Sequence, residues 1–121
     1  MAIYLGEEDA HLFQNAIRAA DRAVVGAPTA FEFMLVALSR KDVSGLAEAE
    51  RLLRYPAFEI VEWTSDLAFV AAQALRRFGK GRHPAKLNFG DCMAYAVARA
   101  RNIPLLYKGA DFAQTDIRSA L

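Results

Sequence analysis

Apolar positions along this chain switch between two spacings. Short unbroken runs alternate with stripes that recur every three or four residues, the pattern of strands alternating with helices. From Asp9 to Asp21 the residues Leu12, Phe13, Ala16, Ile17 and Ala20 form one helical stripe, and Ala23 to Ala27 then reads as a short buried strand. Pro28 and Thr29 open a second helix whose predicted apolar stripe is Phe31, Met34, Leu35 and Leu38. Lys41 to Gly45 breaks that helix, and Leu46 to Arg54 is helical again until Pro56. Phe58 to Trp63 alternates apolar and polar residues, as a half-covered strand does. Thr64, Ser65 and Asp66 offer an N-cap to a helix over Leu67 to Phe78. Gly79 to Leu87 is a basic loop, and Asn88 caps a helix running to about Arg101. Ile103 to Tyr107 is a predicted buried strand and Ile117 to Leu121 a small edge strand, while Ala2 to Leu5 is too short to classify.

Strands alternating with helices predict an α/β fold, a parallel sheet sandwiched by helices. The 121 residues fit a single domain spanning 1–121. With 55% hydrophobic and 24% charged residues the chain has enough apolar material for a packed core. Its net charge of +1 neither demands nor excludes nucleic acid, so only local charge placement is informative. The single cysteine, Cys92, excludes an intrachain disulfide and a zinc site built on paired cysteines, and suits a reducing cytoplasm. No run approaches the roughly 18 apolar residues of a membrane helix. Glu7, Glu8 and Asp9 follow the start too closely for a signal peptide.

Ligands of parallel α/β sheets bind beyond the carboxyl ends of the strands. The loops after the two predicted strands carry Glu32 and, later, Asp111 and Asp116, and with Asp91 at the start of a helix four acids stand out. Each also has a plainer reading. Thr29-x-x-Glu32 fits a capping box, Asp91 complements the dipole of the helix that Asn88 caps, and Asp111 and Asp116 fit ordinary loop acids. As a set they are more telling, because three are flanked by apolar or small residues: Phe31-Glu32-Phe33, Gly90-Asp91-Cys92 and Ala110-Asp111-Phe112. Converging carboxylates repel one another, and hard cations such as Mg2+ or Mn2+ relieve that repulsion through oxygen ligands. Carboxylates with such an ion are the usual equipment for attack of water on a phosphodiester. No nucleophilic side chain is evident: there is no G-x-S-x-G, and Cys92 has no His partner in the sequence.

Arg76, Arg77, Lys80, Arg82, His83 and Lys86 crowd one short stretch. They read either as phosphate contacts for RNA or as a solvated loop, depending on whether helix and loop share a face. The Gly79-Lys80-Gly81 step lacks the spacing of a phosphate-binding P-loop. Trp63, Tyr55, Tyr95 and the phenylalanines read as core rather than as base-stacking platforms, and Cys92 and Met93 as packing residues.

The blocks Arg77-Phe78-Gly79-Lys80-Gly81, His83-Pro84-Ala85 and Leu87-Asn88-Phe89-Gly90-Asp91-Cys92 resemble the C-terminal half of VapC-type PIN-domain toxins. Leu106-Tyr107-Lys108-Gly109-Ala110-Asp111-Phe112 and Thr115-Asp116-Ile117 continue the likeness, and Thr29-Ala30-Phe31-Glu32 fits the family's second acidic position. The resemblance implies a PIN fold and Mg2+- or Mn2+-dependent endonucleolytic cleavage of RNA. It also implies a VapB-type antitoxin as partner, and a homodimer. It makes Glu32, Asp91, Asp111 and Asp116 the metal-site acids, with Asp91 and Asp111 as direct ligands or organisers of metal-bound water. Arg76, Arg77, Lys80, Arg82 and Lys86 become the RNA contacts.

The family opens with a strand ending in an Asp. Met1 to Glu7 looks instead like the middle of the helix that follows it, so the expected sheet has its first strand absent. Three accounts stay open: a start placed too late in a longer protein, a gap filled by strand exchange in a dimer, or a decayed toxin. The alternative function is accordingly a catalytically impaired PIN remnant that binds antitoxin or RNA. A receiver-like phospho-acceptor domain shares the clustered acids but not their distribution.

Overall fold

The computed structural model describes residues 10–20, 22–107 and 109–121. The segments Met1 to Glu7 and Ala2 to Leu5 discussed above lie outside these. Helix α1 spans Ala10–Ala19, and strand β1, Ala23–Gly26, leads directly into α2, Ala27–Leu53. Strand β2 is Phe58–Val61, α3 is Ser65–Phe78, α4 is Phe89–Arg101, and a 3-10 turn covers Phe112–Gln114. The two strands pair in parallel, with Ala23 opposite Phe58 and Gly26 opposite Val61.

Local chemistry sets most boundaries. Thr64 Oγ1 accepts the Leu67 N–H at the start of α3. Asn88 and Asp91 form a reciprocal capping box at the start of α4, and Asn102 ends that helix in the left-handed region at φ 52°. Helix α2 begins differently from the sequence reading. Its cap is Gly26 without a side-chain bond, with a proline in the first turn, so the Thr29–Glu32 capping box does not form. The predicted break is a kink at Lys41 and Asp42, where the Ser44 hydroxyl donates to the Lys41 carbonyl at 2.8 Å.

Packing corrects two further expectations. The covered face of α2 is the alanine line Ala30 and Ala37, with Phe33 and Met34 half-buried beside it. Phe31, Leu35 and Leu38, three of the predicted stripe's four residues, are exposed. Large side chains would hold α2 off its neighbours, whereas alanines let it come close to the sheet and α4. The same closeness shows at Gly26, where a Cβ would sit 2.9 Å from Val97 Cγ2 of α4. Ile103 to Tyr107 does not form a strand; only Leu105 makes an isolated parallel bridge, to Ser119 of the predicted edge strand. Pro104 has no N–H to donate, which breaks a ladder at its second residue.

Two apolar clusters hold the layers together. One joins Ala74 and Phe78 of α3, Ala85 and Leu87 of the following loop, Cys92 and Tyr95 of α4, and Phe112. The other joins Leu67, Ala96 and Val97, with Val24 and Trp63 packed against them. At the far end of α4, Arg101 and Arg22 both bond Glu59 of β2 and hold its carboxyl below the usual range. Among the described residues no helix is long and apolar enough to cross a membrane.

Candidate active site

Glu32 and Asp91 are 59 residues apart in sequence, and the fold brings their positions together. Glu32 stands in the second turn of α2, just past the carboxyl end of β1. Its carboxylate lies on the backbone of Gly90, so close that a Cβ there would be 2.6 Å from Glu32 Oε2. Asp91 is the next residue, in the first turn of α4. One Asp91 carboxylate oxygen accepts the Asn88 N–H at 3.1 Å, and the Asn88 side chain accepts the Asp91 N–H at 2.8 Å. This pair of bonds fixes the Asp91 rotamer and seats two acids at a helix N-terminus, where the dipole favours negative charge.

Asp111 is exposed at the head of the 3-10 turn. Asp116 is engaged elsewhere. One of its oxygens accepts the Tyr95 hydroxyl at 2.5 Å, and the other lies 3.4 Å from Arg77 Nη1 and 3.6 Å from Arg99 Nη1. Burial pushes the Asp116 carboxyl up, but the Tyr95 bond and the two guanidinium charges outweigh it and hold the group below its ordinary value. Burial and the Asp116 bond push the Tyr95 hydroxyl up to about 12. Among the described residues no three His, Cys, Asp or Glu side chains converge as a metal-holding group.

The donors at Glu32 and Asp91 nonetheless fit a hard divalent cation. They are carboxylates on neighbouring positions, Glu32 seated on Gly90 and Asp91 the next residue, and Mg2+ is commonly held by one or two carboxylates together with water and substrate phosphate. The basic loop is built rather than loose. Lys80 N–H bonds the Leu87 carbonyl, Leu87 N–H bonds Phe78, and the Ala85 N–H bonds His83 Nδ1. Ala85 and Leu87 are fully buried, which leaves Lys80, Arg82 and Lys86 outward around an open concavity of about 510 Å³. Arg76 pairs with Gln73, and the Arg77 guanidinium lies 4.7 Å from the centre of the Phe78 ring.

The model of the PIN domain family matches residues 1–118 of this sequence. The chain belongs to the PIN domain family. It is similar to VapC ribonucleases of Mycobacterium tuberculosis throughout its length. Identity to VapC30 is 38% over 117 residues, covering 97% of this chain and 89% of the relative. Identity to VapC36 is 39% over 118 residues, covering 97% and 85%. The crystal structure of VapC20 from the same organism, a toxin that cleaves the sarcin–ricin loop, superposes with a TM-score of 0.77 at 15% identity. It covers 96% of this chain and 88% of that one, which establishes the shared PIN fold.

Several site features of this PIN domain escaped the sequence reading. Phe31 and Phe89, taken as core, are 66% and 81% exposed, the chain neighbours of Glu32 and Gly90, and Phe69 and Tyr55 are also exposed. Gly90 figured only as a neighbour of Asp91, Tyr95 only as a core residue, which at 2% exposure it is, and Arg99 carried no reading. A signal for the last two was present: Asp91, Tyr95 and Arg99 recur at four-residue steps and share one face of α4.

Proposed function

We propose that this protein is a Mg2+- or Mn2+-dependent endoribonuclease, the toxin of a type II toxin–antitoxin module. The observation that carries the reading is the Glu32 carboxylate seated on Gly90 beside Asp91. It occurs in a PIN-family chain that is 39% identical to a VapC ribonuclease. In this assignment Glu32 and Asp91 hold the ion, and Asp111 is the third acid, presented from its loop. What the ion supplies when bound is activation of the attacking water and neutralisation of charge on the phosphate oxygens. The chain's own side chains place the substrate. Lys80, Arg82 and Lys86 hold the RNA backbone from the loop concavity, and Arg76 and Arg77 extend that surface along α3. The Asn88 bond keeps Asp91 in position through turnover, and Glu32 comes from α2 to Gly90 beside it. Water adds to phosphorus and the bond to the leaving ribose oxygen breaks.

The partners in this reading are an RNA substrate, a VapB-type antitoxin and a second copy of the chain, in the cytoplasm. The exposed line Phe31, Leu35 and Leu38 on α2 offers apolar surface of the kind protein partners cover. A second reading, a catalytically impaired PIN domain that binds RNA or antitoxin, is favoured by one observation. No three metal-ligating side chains converge among the described residues.

Incubation of the purified chain with labelled RNA and Mn2+ or Mg2+, beside Asp91→Asn, separates the two. The Asn oxygen still accepts the Asn88 N–H, so the helix cap survives the substitution. Metal-dependent cleavage that is lost in the variant is the expected result. RNA binding without cleavage under either metal would favour the second reading.

A further inference from the structure

We propose that Asp116 is a positioning residue that builds Arg77 and Arg99 into a two-arginine clamp for an RNA phosphate flanking the bond to be cut. The proposal rests on the ribonuclease reading above and assigns a role within it. Arg77 closes α3 and Arg99 closes α4, so two cations from different helices arrive at one place. Alone they would repel and splay. Both instead point Nη1 at the same Asp116 oxygen, at 3.4 and 3.6 Å, while the other oxygen takes the Tyr95 hydroxyl. Tyr95 is 2% exposed and packs on Phe78, so the carboxylate is anchored to the core. Phe78 also lies under the Arg77 guanidinium.

The guanidiniums are not consumed by this arrangement. Their side chains are 47% and 55% exposed, and each carries five N–H donors of which one Nη1 faces Asp116. Two arginines against one aspartate leave a net positive, pre-oriented fork, which is the geometry that suits a phosphate. Its place along α4 fits the substrate path. Arg99 lies eight residues beyond Asp91 on the same helix face, about 12 Å along the axis. An acid already satisfied by a hydroxyl and two cations would have to break three contacts to become a metal ligand. Two guanidiniums this near would also oppose a divalent ion. This separates Asp116 from the acids at Gly90.

The test uses the full chain and two readouts. Mn2+ binding is followed by loss of the free-ion paramagnetic resonance signal. Binding of a labelled single-stranded RNA is followed by anisotropy in chelator at several salt concentrations. Asp116→Asn keeps the volume and the acceptor for Tyr95 but removes the charge. Simple charge removal would tighten RNA binding, whereas loss of positioning weakens it. The expected result for Asp116→Asn is a dissociation constant for RNA raised about tenfold with Mn2+ affinity unchanged. Arg99→Gln, on an exposed side chain that leaves the fold intact, should weaken RNA binding likewise and lower the salt slope by about one. Asp91→Asn should do the reverse, losing Mn2+ and keeping RNA. Loss of Mn2+ binding in Asp116→Asn would make it a metal acid and overturn the clamp. Unchanged RNA binding in both Asp116→Asn and Arg99→Gln, with the unmodified chain binding normally, would also overturn it while leaving the ribonuclease reading intact. An unmodified chain that binds neither RNA nor Mn2+ would overturn both.

Discussion

Gly90→Ala separates what the site needs from what the fold needs. Gly90 lies in the first turn of α4, where alanine is intrinsically the better residue by up to about 1 kcal/mol. The added Cβ would meet Glu32 Oε2 at 2.6 Å and Oε1 at 3.5 Å, and no backbone atom is among its nearest neighbours. The obstacle is therefore the far end of a flexible side chain. Relief requires Oε2 to move about 0.8 Å, to the 3.4 Å where ordinary contact begins. A misplacement of about 1 Å in a catalytic group costs up to about a hundredfold in rate. The variant should melt at the same temperature as the unmodified protein or a few degrees above it. Metal-dependent RNA cleavage should fall by about ten- to a hundredfold and Mn2+ affinity should weaken. Thermal melting by circular dichroism, cleavage of labelled RNA and Mn2+ titration measure the three quantities. Full activity in Gly90→Ala would show that the seating of Glu32 is irrelevant to catalysis. A large drop in stability would show that Gly90 serves the fold and not the site.

Other consequences are equally direct. Tyr95, held at about 12 against an ordinary 10, should contribute an ionisation well above the ordinary tyrosine range in an absorbance titration, and that step should be missing in Tyr95→Phe. Its raised value stabilises the fold fully below pH 10, and that contribution should disappear as pH rises through 12; a Tyr95→Phe variant should lack this alkaline loss. Gly26→Ala should destabilise by about 1–3 kcal/mol in urea unfolding, because its Cβ would strike Val97 in the packed seam between β1 and α4. The Cys92 thiol, buried and pushed up by that burial and by the Asp91 charge, should react with a thiol reagent only as the chain unfolds. Rapid modification of the native protein at pH 8 would contradict this placement.

The elements legible in the sequence were those whose signals are local. Thr64 before α3, Asn88 before α4 and the break after Arg40 all rest on hydrogen bonds within four residues, and each is found where the chain announces it. The α2 stripe failed because spacing alone does not tell which of two lines faces inward. Ala30 and Ala37 repeat at helical distance as faithfully as Phe31 and Leu38, and close packing selected the smaller residues. The strand expected over Ile103 to Tyr107 failed at Pro104, a residue that interrupts a ladder whatever its apolar neighbours suggest. At the candidate site, the acids announced themselves by residue type, but their company did not. Glu32 meets Gly90 across 58 positions, and Asp116 meets Arg77 and Arg99 across 39 and 17. Such pairings depend on how α2, α3 and α4 pack, which no local pattern encodes.

The most direct measurement is the rate of endonucleolytic cleavage of a labelled RNA by the metal-stripped chain as Mn2+ is added back, with Glu32→Gln run in parallel. No cleavage without metal, a rate that rises and saturates with Mn2+, and a Glu32→Gln curve shifted to higher Mn2+ and lower maximum are the expected results. Cleavage that is indifferent to Mn2+, or a Glu32→Gln curve that overlays the unmodified chain, would contradict the assignment of the Glu32–Asp91 pair as the catalytic metal site.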